Sequence, residues 1–269
     1  MVNILDGRKI AGQIRAELKE KVAKLDKKPS LAVILVGDNP ASAIYVREKM
    51  KAAVEIGAKF RLLKRKANTS QRALERIIQD LNRNASITGI LVQKPLPPHI
   101  DDEEIDCLVD PAKDVDGLNP ISPFIPSTAL GVFELLSRYA IKVEGKKVVV
   151  VGRSKLVGLP TALEFVKRNA TVTICHSKTA NLAAETKQAD ILVVAAGKPR
   201  LIKRNMVKPG AVVIDVGINR DRETHKLVGD VDFENVKKVA GYVTPVPGGV
   251  GPMTVAALMS NLVQASSQK

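Results

Sequence analysis

The stretch Lys147-Val-Val-Val-Val-Gly152-Arg-Ser-Lys-Leu-Val-Gly158-Leu-Pro160 carries a β-branched run straight into a glycine turn, and a helical stretch from Thr161 to Lys167 follows. A continuous apolar run bounded by glycine reads as a strand buried on both faces. Glycine at the strand end permits a tight turn and close approach of a ligand, and the amino end of the next helix offers free N–H groups to a pyrophosphate. The spacing is not a GxGxxG. Taken alone, the layout therefore fits either a dinucleotide phosphate site or an ordinary strand-to-helix turn whose glycines only suit the backbone.

Downstream, strands are expected near Thr171 to Cys175, Ile191 to Val194 and Val212 to Val216, and a last helix from about Thr254 to Ser266. Upstream the same alternation appears. Ile10, Ile14, Leu18, Val22 and Leu25 recur at helical spacing before the apolar run Leu31 to Val36. Asn39-Pro40 opens a helix to about Gly57, Phe60 to Arg65 is a short strand, Thr69-Ser70 caps a helix, and Gly89 to Val92 is a strand. From Pro95 to Pro126 prolines interrupt any long element, which predicts loop; a helix then runs from about Thr128 to Ala140. Alternating strands and helices predict parallel sheets covered on both faces, hence an α/β fold of two domains around a cleft, the second Rossmann-like. The second strand-and-helix series begins at Lys147.

The 269 residues suffice for two such cores, and 45% hydrophobic with 26% charged residues excludes global disorder. Two cysteines, Cys107 and Cys175, form no zinc-type spacing, so no metal site is expected. No apolar run has membrane length, and the N-terminus lacks a signal-peptide core, which together point to the cytoplasm. A net charge of +14 suits polyanions, yet aromatics at 3% and the absence of Trp leave few stacking platforms for nucleic acid. A small ligand carrying phosphates or carboxylates accounts for the same charge.

A site selective for NAD carries an acid at the end of its second strand for the ribose 2′-hydroxyl. Here that strand ends Cys175-His-Ser-Lys-Thr179, without an acid, and Arg153 lies in the first turn, so a 2′-phosphate and NADP are favoured. In the first half Tyr45 and Lys49 are four apart on one helix face, where ring and ammonium can address one ligand. Gln93 follows a strand at its carboxyl end, where open α/β sheets place ligands, and Asp116 lies in the proline-rich segment. Each also has a plain reading, as a surface pair, a solvated strand end or an Asp/Gly turn.

Together these residues resemble the bifunctional methylenetetrahydrofolate dehydrogenase/cyclohydrolase family over essentially the whole chain. The carriers are Val36-Gly-Asp-Asn-Pro-Ala-Ser42, Tyr45-x-x-x-Lys49, Val92-Gln93-x-Pro-Leu96, Lys113-Asp-Val-Asp-Gly117, Gly152-Arg-Ser-x-x-Val-Gly158-x-Pro160, His176-Ser-x-Thr179, Asp215-Val-Gly-Ile218 and Pro245-Val-Pro-Gly-Gly-Val-Gly-Pro-Met-Thr254. The resemblance implies NADP-dependent oxidation of 5,10-methylenetetrahydrofolate and hydrolysis of the methenyl product to 10-formyltetrahydrofolate. It also implies that Lys49 is the central catalytic residue, with Gln93 its partner, Tyr45 stacked on the aminobenzoyl ring and Asp116 accepting from the pterin. Ser42, Gly249 and Thr254 would complete the folate site. Gly152, Arg153, Ser154, Val157, Ser177, Ile218 and Thr254 would bind the cofactor. The partners implied are tetrahydrofolate derivatives, polyglutamylated forms included, and a second copy in a homodimer, with no nucleic acid and no membrane. The resemblance also implies that the C-terminal helix returns to the first domain, an expected division of 1–127 plus 253–269 against 128–252.

The chain departs from the family pattern at Lys94, where leucine is usual, at Ser127 and Ala129, and in a short Gly117 to Pro126 segment. Lys94 is expected either to face solvent or, at the cleft mouth, to attract a glutamate tail. On the residues alone a dehydrogenase of another small acid and a basic nucleic-acid-binding protein stay open as alternatives.

Overall fold

The computed structural model describes residues 2–221 and 224–267. The chain forms two compact units, Met1–Ala11 with Thr128–Thr254 and Gly12–Ser127 with Val255–Lys269. Both are α/β, as the alternation predicts. Residues 1–11, expected in the first domain, fall in the other unit, because Asn3 and Ile4 pair in parallel with Tyr242 and Val243.

In the unit holding residues 12–127 the strands run parallel in the order Lys59–Arg65, Ser30–Val36, Gly89–Val92. The central strand, Ser-Leu-Ala-Val-Ile-Leu-Val, is buried at every position, which its unbroken apolar run requires. The edge strand alternates and exposes Lys59, Arg61 and Lys64. Helix Gln71–Arg83, capped by Ser70, packs Leu74, Ile78 and Leu81 on this sheet. The segment from Pro95 to Pro126 is more regular than expected: Asp102–Leu108 is helical, and Pro111–Lys113 forms a 3-10 turn. Asp101 caps that helix, its carboxylate accepting from the Glu103 and Glu104 N–H at 2.8 and 3.0 Å, and three acids occupy the first turn. Capping and the favourable placement of acids there outweigh the flanking prolines. The C-terminal helix, Val250–Ser266, contributes its later residues to this unit, as expected; the Asn261 side-chain amide donates to the Val115 and Ile125 carbonyls at 2.9 and 3.0 Å.

The other unit is a six-stranded parallel sheet ordered Asn3–Ile4, Tyr242–Val243, Val212–Asp215, Ile191–Val194, Lys147–Val151, Thr171–Cys175. Chain order reverses between Lys147–Val151 and Ile191–Val194, the position at which doubly wound sheets open a ligand crevice at their carboxyl ends.

Candidate active site

Asn39 starts the helix Pro40–Glu55 by accepting from the Ala41 and Ser42 N–H, with Pro40 at the first helical position. The helix turns Ser42, Val46 and Lys49 inward, and Tyr45 is half-buried beside them. The Lys49 ammonium donates to Gln93 Oε1 at 2.9 Å, with Lys49 7% and Gln93 9% exposed. Burial holds the Lys49 pKa below its ordinary value, opposed by the negative charge of nearby Asp116. Burial likewise raises the Tyr45 phenol.

The orientation of Gln93 is set by its neighbour. Its amide nitrogen donates to the Lys94 carbonyl at 2.7 Å, and the Ser42 hydroxyl donates to the same oxygen at 3.3 Å. With the NH2 end occupied, the oxygen end faces Lys49. Ser42, Lys49, Gln93 and Asp116, separate in sequence, thus meet in one region of this unit, with Tyr45 alongside. Lys94 does not face solvent. Its side chain is 11% exposed, and its ammonium lies 3.1 Å from Asp102 Oδ1 and 2.9 Å from Asp106 Oδ1. Two carboxylates on one face of a short helix hold the charge there in place of water.

The Lys113 to Gly117 motif divides its labour. The Lys113 ammonium donates to the carbonyls of Leu81, Asn82 and Asn84, closing the end of the helix Gln71–Arg83. Asp114 accepts from the Asn119 N–H at 2.8 Å, and burial pushes its carboxyl up to about 6. Of the motif's acids, Asp116 is the one whose negative charge acts on Lys49. Gly117 has φ +72°, and a Cβ there would lie 2.7 Å from the Pro126 nitrogen, so the short segment folds back on itself. Ser127 is buried, its N–H donating to the Asp116 carbonyl at 3.1 Å.

At the crevice of the other unit Gly152 has φ +131°, and a Cβ on it would stand 2.2 Å from the Ala195 carbonyl oxygen. A Cβ on Gly158 would stand 2.3 Å from the Gly152 oxygen. Both glycines are therefore required by the backbone itself. The free N–H groups expected at the helix amino end are already used: Ser154 Oγ accepts from Val157 and Gly158 at 3.2 and 3.4 Å, its carbonyl accepts from Leu159 at 3.0 Å, and Pro160 has none. Val157 is the helix N-cap, and Arg153 and Ser177 are exposed. The turn His176 to Thr179, which holds Ser177, is closed by the Thr179 hydroxyl, which accepts from the His176 N–H at 2.9 Å, with no carboxylate in the turn.

Ile218 is exposed, and a Cβ on Gly251 would lie 3.6 Å from its Cδ1. Thr254 is half-buried and donates to the Val250 carbonyl at 3.3 Å. Gly249 is buried, its carbonyl oxygen 1.9 Å from where a Cβ of Gly7 would be. One further device was missed at the sequence level, although Asp215 lies in the Asp215 to Ile218 motif. Asp215 accepts from the N–H groups of Gly217, Asp230 and Val231 at 3.0, 3.0 and 2.9 Å, while Asp230 accepts from Ala196, Gly197 and the Asn219 amide. Two buried acids thereby tie three loops at the strand ends. Burial, reinforced by Asp230, pushes the Asp215 carboxyl up to about 7 against those hydrogen bonds. The glycines at 217 and 229 were the available signal, since a Cβ on either would strike one of these carboxyls.

Two family descriptions match: tetrahydrofolate dehydrogenase/cyclohydrolase, catalytic domain, over residues 5–116, and its NAD(P)-binding domain over residues 126–269. The bifunctional protein FolD of Halothermothrix orenii is 53% identical over 279 residues, covering 98% of each chain. The crystal structure of the bifunctional FolD enzyme from Campylobacter jejuni superposes with a TM-score of 0.97 at 47% identity, covering 100% of this chain and 99% of that one. The Trypanosoma brucei methylenetetrahydrofolate dehydrogenase-cyclohydrolase, solved with NADP cofactor and inhibitor, gives 0.95 at 39% identity, covering 99% and 98%.

Proposed function

The chain belongs to the tetrahydrofolate dehydrogenase/cyclohydrolase family and is a two-activity folate enzyme, an oxidoreductase and a hydrolase; from that premise we propose how its own residues divide the work. Neither a dehydrogenase of another small acid nor a nucleic-acid-binding protein fits both matched domains. The 5,10-methylene carbon of tetrahydrofolate is oxidised to the methenyl cation, and water then adds to that carbon to give 10-formyltetrahydrofolate and a proton. When bound, NADP takes the hydride of the first step.

Lys49 handles the proton of the second step. Its role is supported by one observation above the others, the buried 2.9 Å contact with Gln93 beside Asp116. An ammonium held in a poorly solvated site loses its proton more readily, and a cationic ligand alongside adds to that tendency. Gln93 accepts from one Lys49 N–H and so aims the nitrogen. Asp116 opposes full deprotonation and is assigned the pterin, Tyr45 stacks on the aminobenzoyl ring, and Ser42, Gly249 and Thr254 complete the folate contacts. Hydride transfer needs alignment rather than a base, so it depends less on the Lys49 proton.

For the cofactor we assign Gly152, Arg153, Ser154, Val157, Ser177, Ile218 and Thr254. NADP is favoured over NAD by the exposed Arg153 and by a second strand end with no carboxylate. Because Ser154 occupies the helix amino end, the phosphates depend on the Arg153 to Lys155 turn more than on the helix itself. We assign the enzyme to the cytoplasm as a homodimer. Both cysteines are free, and no helix among the described residues is long and apolar enough to cross a membrane. Leu156, Leu159, Leu163 and Val166, with Ile174 on the edge strand, form an exposed apolar face suited to a second copy.

The deciding experiment follows methenyl absorbance with methylenetetrahydrofolate and each nicotinamide cofactor, in the unaltered enzyme and in Lys49→Met. The methenyl species should accumulate in the variant, with hydrolysis reduced at least about 100-fold. Full hydrolysis in folded Lys49→Met overturns the assignment.

A further inference from the structure

Between Asp101 and Asp116 the chain carries eight acids, the last of which acts electrostatically on Lys49. Lys94 joins this acidic segment to the Lys49 site. Its ammonium meets three oxygens of the helix Asp102–Leu108: Asp102 Oδ1 at 3.1 Å, the Asp102 carbonyl at 3.2 Å and Asp106 Oδ1 at 2.9 Å. At its other end, the Lys94 carbonyl accepts from Gln93 and Ser42. We propose that Lys94 is a positioning residue for the cyclohydrolase: it holds the charge of Asp102 and Asp106 on its own ammonium and so keeps that helix from adding its field to the Asp116–Lys49 pair.

The charged groups involved come from four elements. Lys49 and Tyr45 lie on the helix Pro40–Glu55, Lys94 follows the strand Gly89–Val92, Asp102 and Asp106 lie on the short helix, and Asp114 and Asp116 lie in the segment after it. These acids are mutually coupled. Asp106 is close enough to Asp116 and Asp102 for both to raise its carboxyl, though burial is the larger cause and Lys94 opposes all three. Asp106 and Asp116 in turn each add to the raised Asp114. Asp116 favours the Lys49 ammonium. Deleting the Lys94 charge exposes Asp106 to this group, and the added negative potential makes the Lys49 proton harder to remove.

The inference rests on the assignment of Lys49 as proton acceptor, and its test separates the two. Cyclohydrolase rates are measured against pH for the unaltered enzyme, Lys94→Met, Asp106→Asn and the double variant, with thermal melting of each to establish folding. Lys94→Met should move the acidic limb of the kcat profile upward by roughly half a pH unit. Asp106→Asn should move it slightly downward, and the double variant should return close to the unaltered limb. A purely structural role predicts lower melting temperatures with the limb unmoved, and rescue by the second substitution would then be absent. The inference is overturned if Lys94→Met keeps the unaltered profile, or if the double variant keeps the shift of the single one. If Lys94→Met does not fold, Asp106→Asn alone decides, an unmoved limb being the adverse result. Failure of the parent reading looks different: Lys49→Met would retain hydrolysis, whatever the Lys94 variants do.

Discussion

The Lys49 region and the strand-end crevice of the other unit are built from opposite materials. Around Lys49 the contacts run between side chains, Lys49 to Gln93 and Lys94 to Asp102 and Asp106, with one backbone carbonyl fixing the glutamine. In the crevice the fit is backbone against backbone, Gly152 on Ala195 and Gly158 on Gly152, and even the two buried acids spend themselves mostly on peptide N–H groups. Chemistry that moves a proton needs groups whose charge can be tuned by neighbours. Holding a large cofactor still needs a surface that does not move, and backbone packing supplies that.

Gly152→Ala should break this contrast hardest. The added methyl group meets the Ala195 carbonyl at 2.2 Å in a backbone conformation unfavourable to any other residue, so stability should fall by about 3 kcal/mol or more and NADP binding should be lost. Denaturant unfolding and cofactor titration measure both effects, and retained NADP affinity would contradict the backbone account.

Asp114 sharpens the comparison from the side-chain half. Its carboxyl stands at about 6, above the unfolded value, so the native state holds the proton more tightly than the unfolded chain does between about pH 4 and 6. Its contribution is therefore greatest below that window and declines as pH rises through it. Asp114→Asn, which keeps an oxygen for the Asn119 N–H, should remove on the order of 2 kcal/mol of that dependence. Unfolding free energies at pH 4.5 and 7 test this, and an unchanged difference between them would count against it. Asp215, at about 7, follows the same sign over a window reaching neutrality.

Arg153→Ala removes a charge from the crevice while leaving its backbone intact. The loss of a charge-assisted contact of roughly 1.5 to 3 kcal/mol should lower kcat/KM for NADP at least tenfold with little change for NAD. Equal use of the two cofactors by the unaltered enzyme would refute the selectivity. The smallest effect is expected at the entrance to the catalytic helix, where Asn39→Ala deletes the cap on Ala41 and Ser42 and should cost about 1 kcal/mol. Thermal melting reads that loss, and a larger fall in hydrolysis than in stability would show that Ser42 also shifts.

The two regions also differed in how readily the sequence disclosed them. Strand and helix order and the parallel sheets were legible because periodicity and β-branched runs are properties of neighbouring residues, whereas Tyr45, Lys49, Gln93 and Asp116 were singled out together only through the resemblance of their motifs. The helix Asp102–Leu108 was missed, because the surrounding prolines predicted loop although Asp101 and the acids after it carried the signal of a capped start. Tertiary structure alone decided that Asn3 and Ile4 pair beside Tyr242 and Val243, that Lys94 turns to Asp102 and Asp106, and that Asp215 and Asp230 tie the strand-end loops. Each of these depends on which distant groups the fold brings within hydrogen-bond range, and a buried charge takes whichever partner lies there, since leaving it unpaired costs more than any local preference supplies.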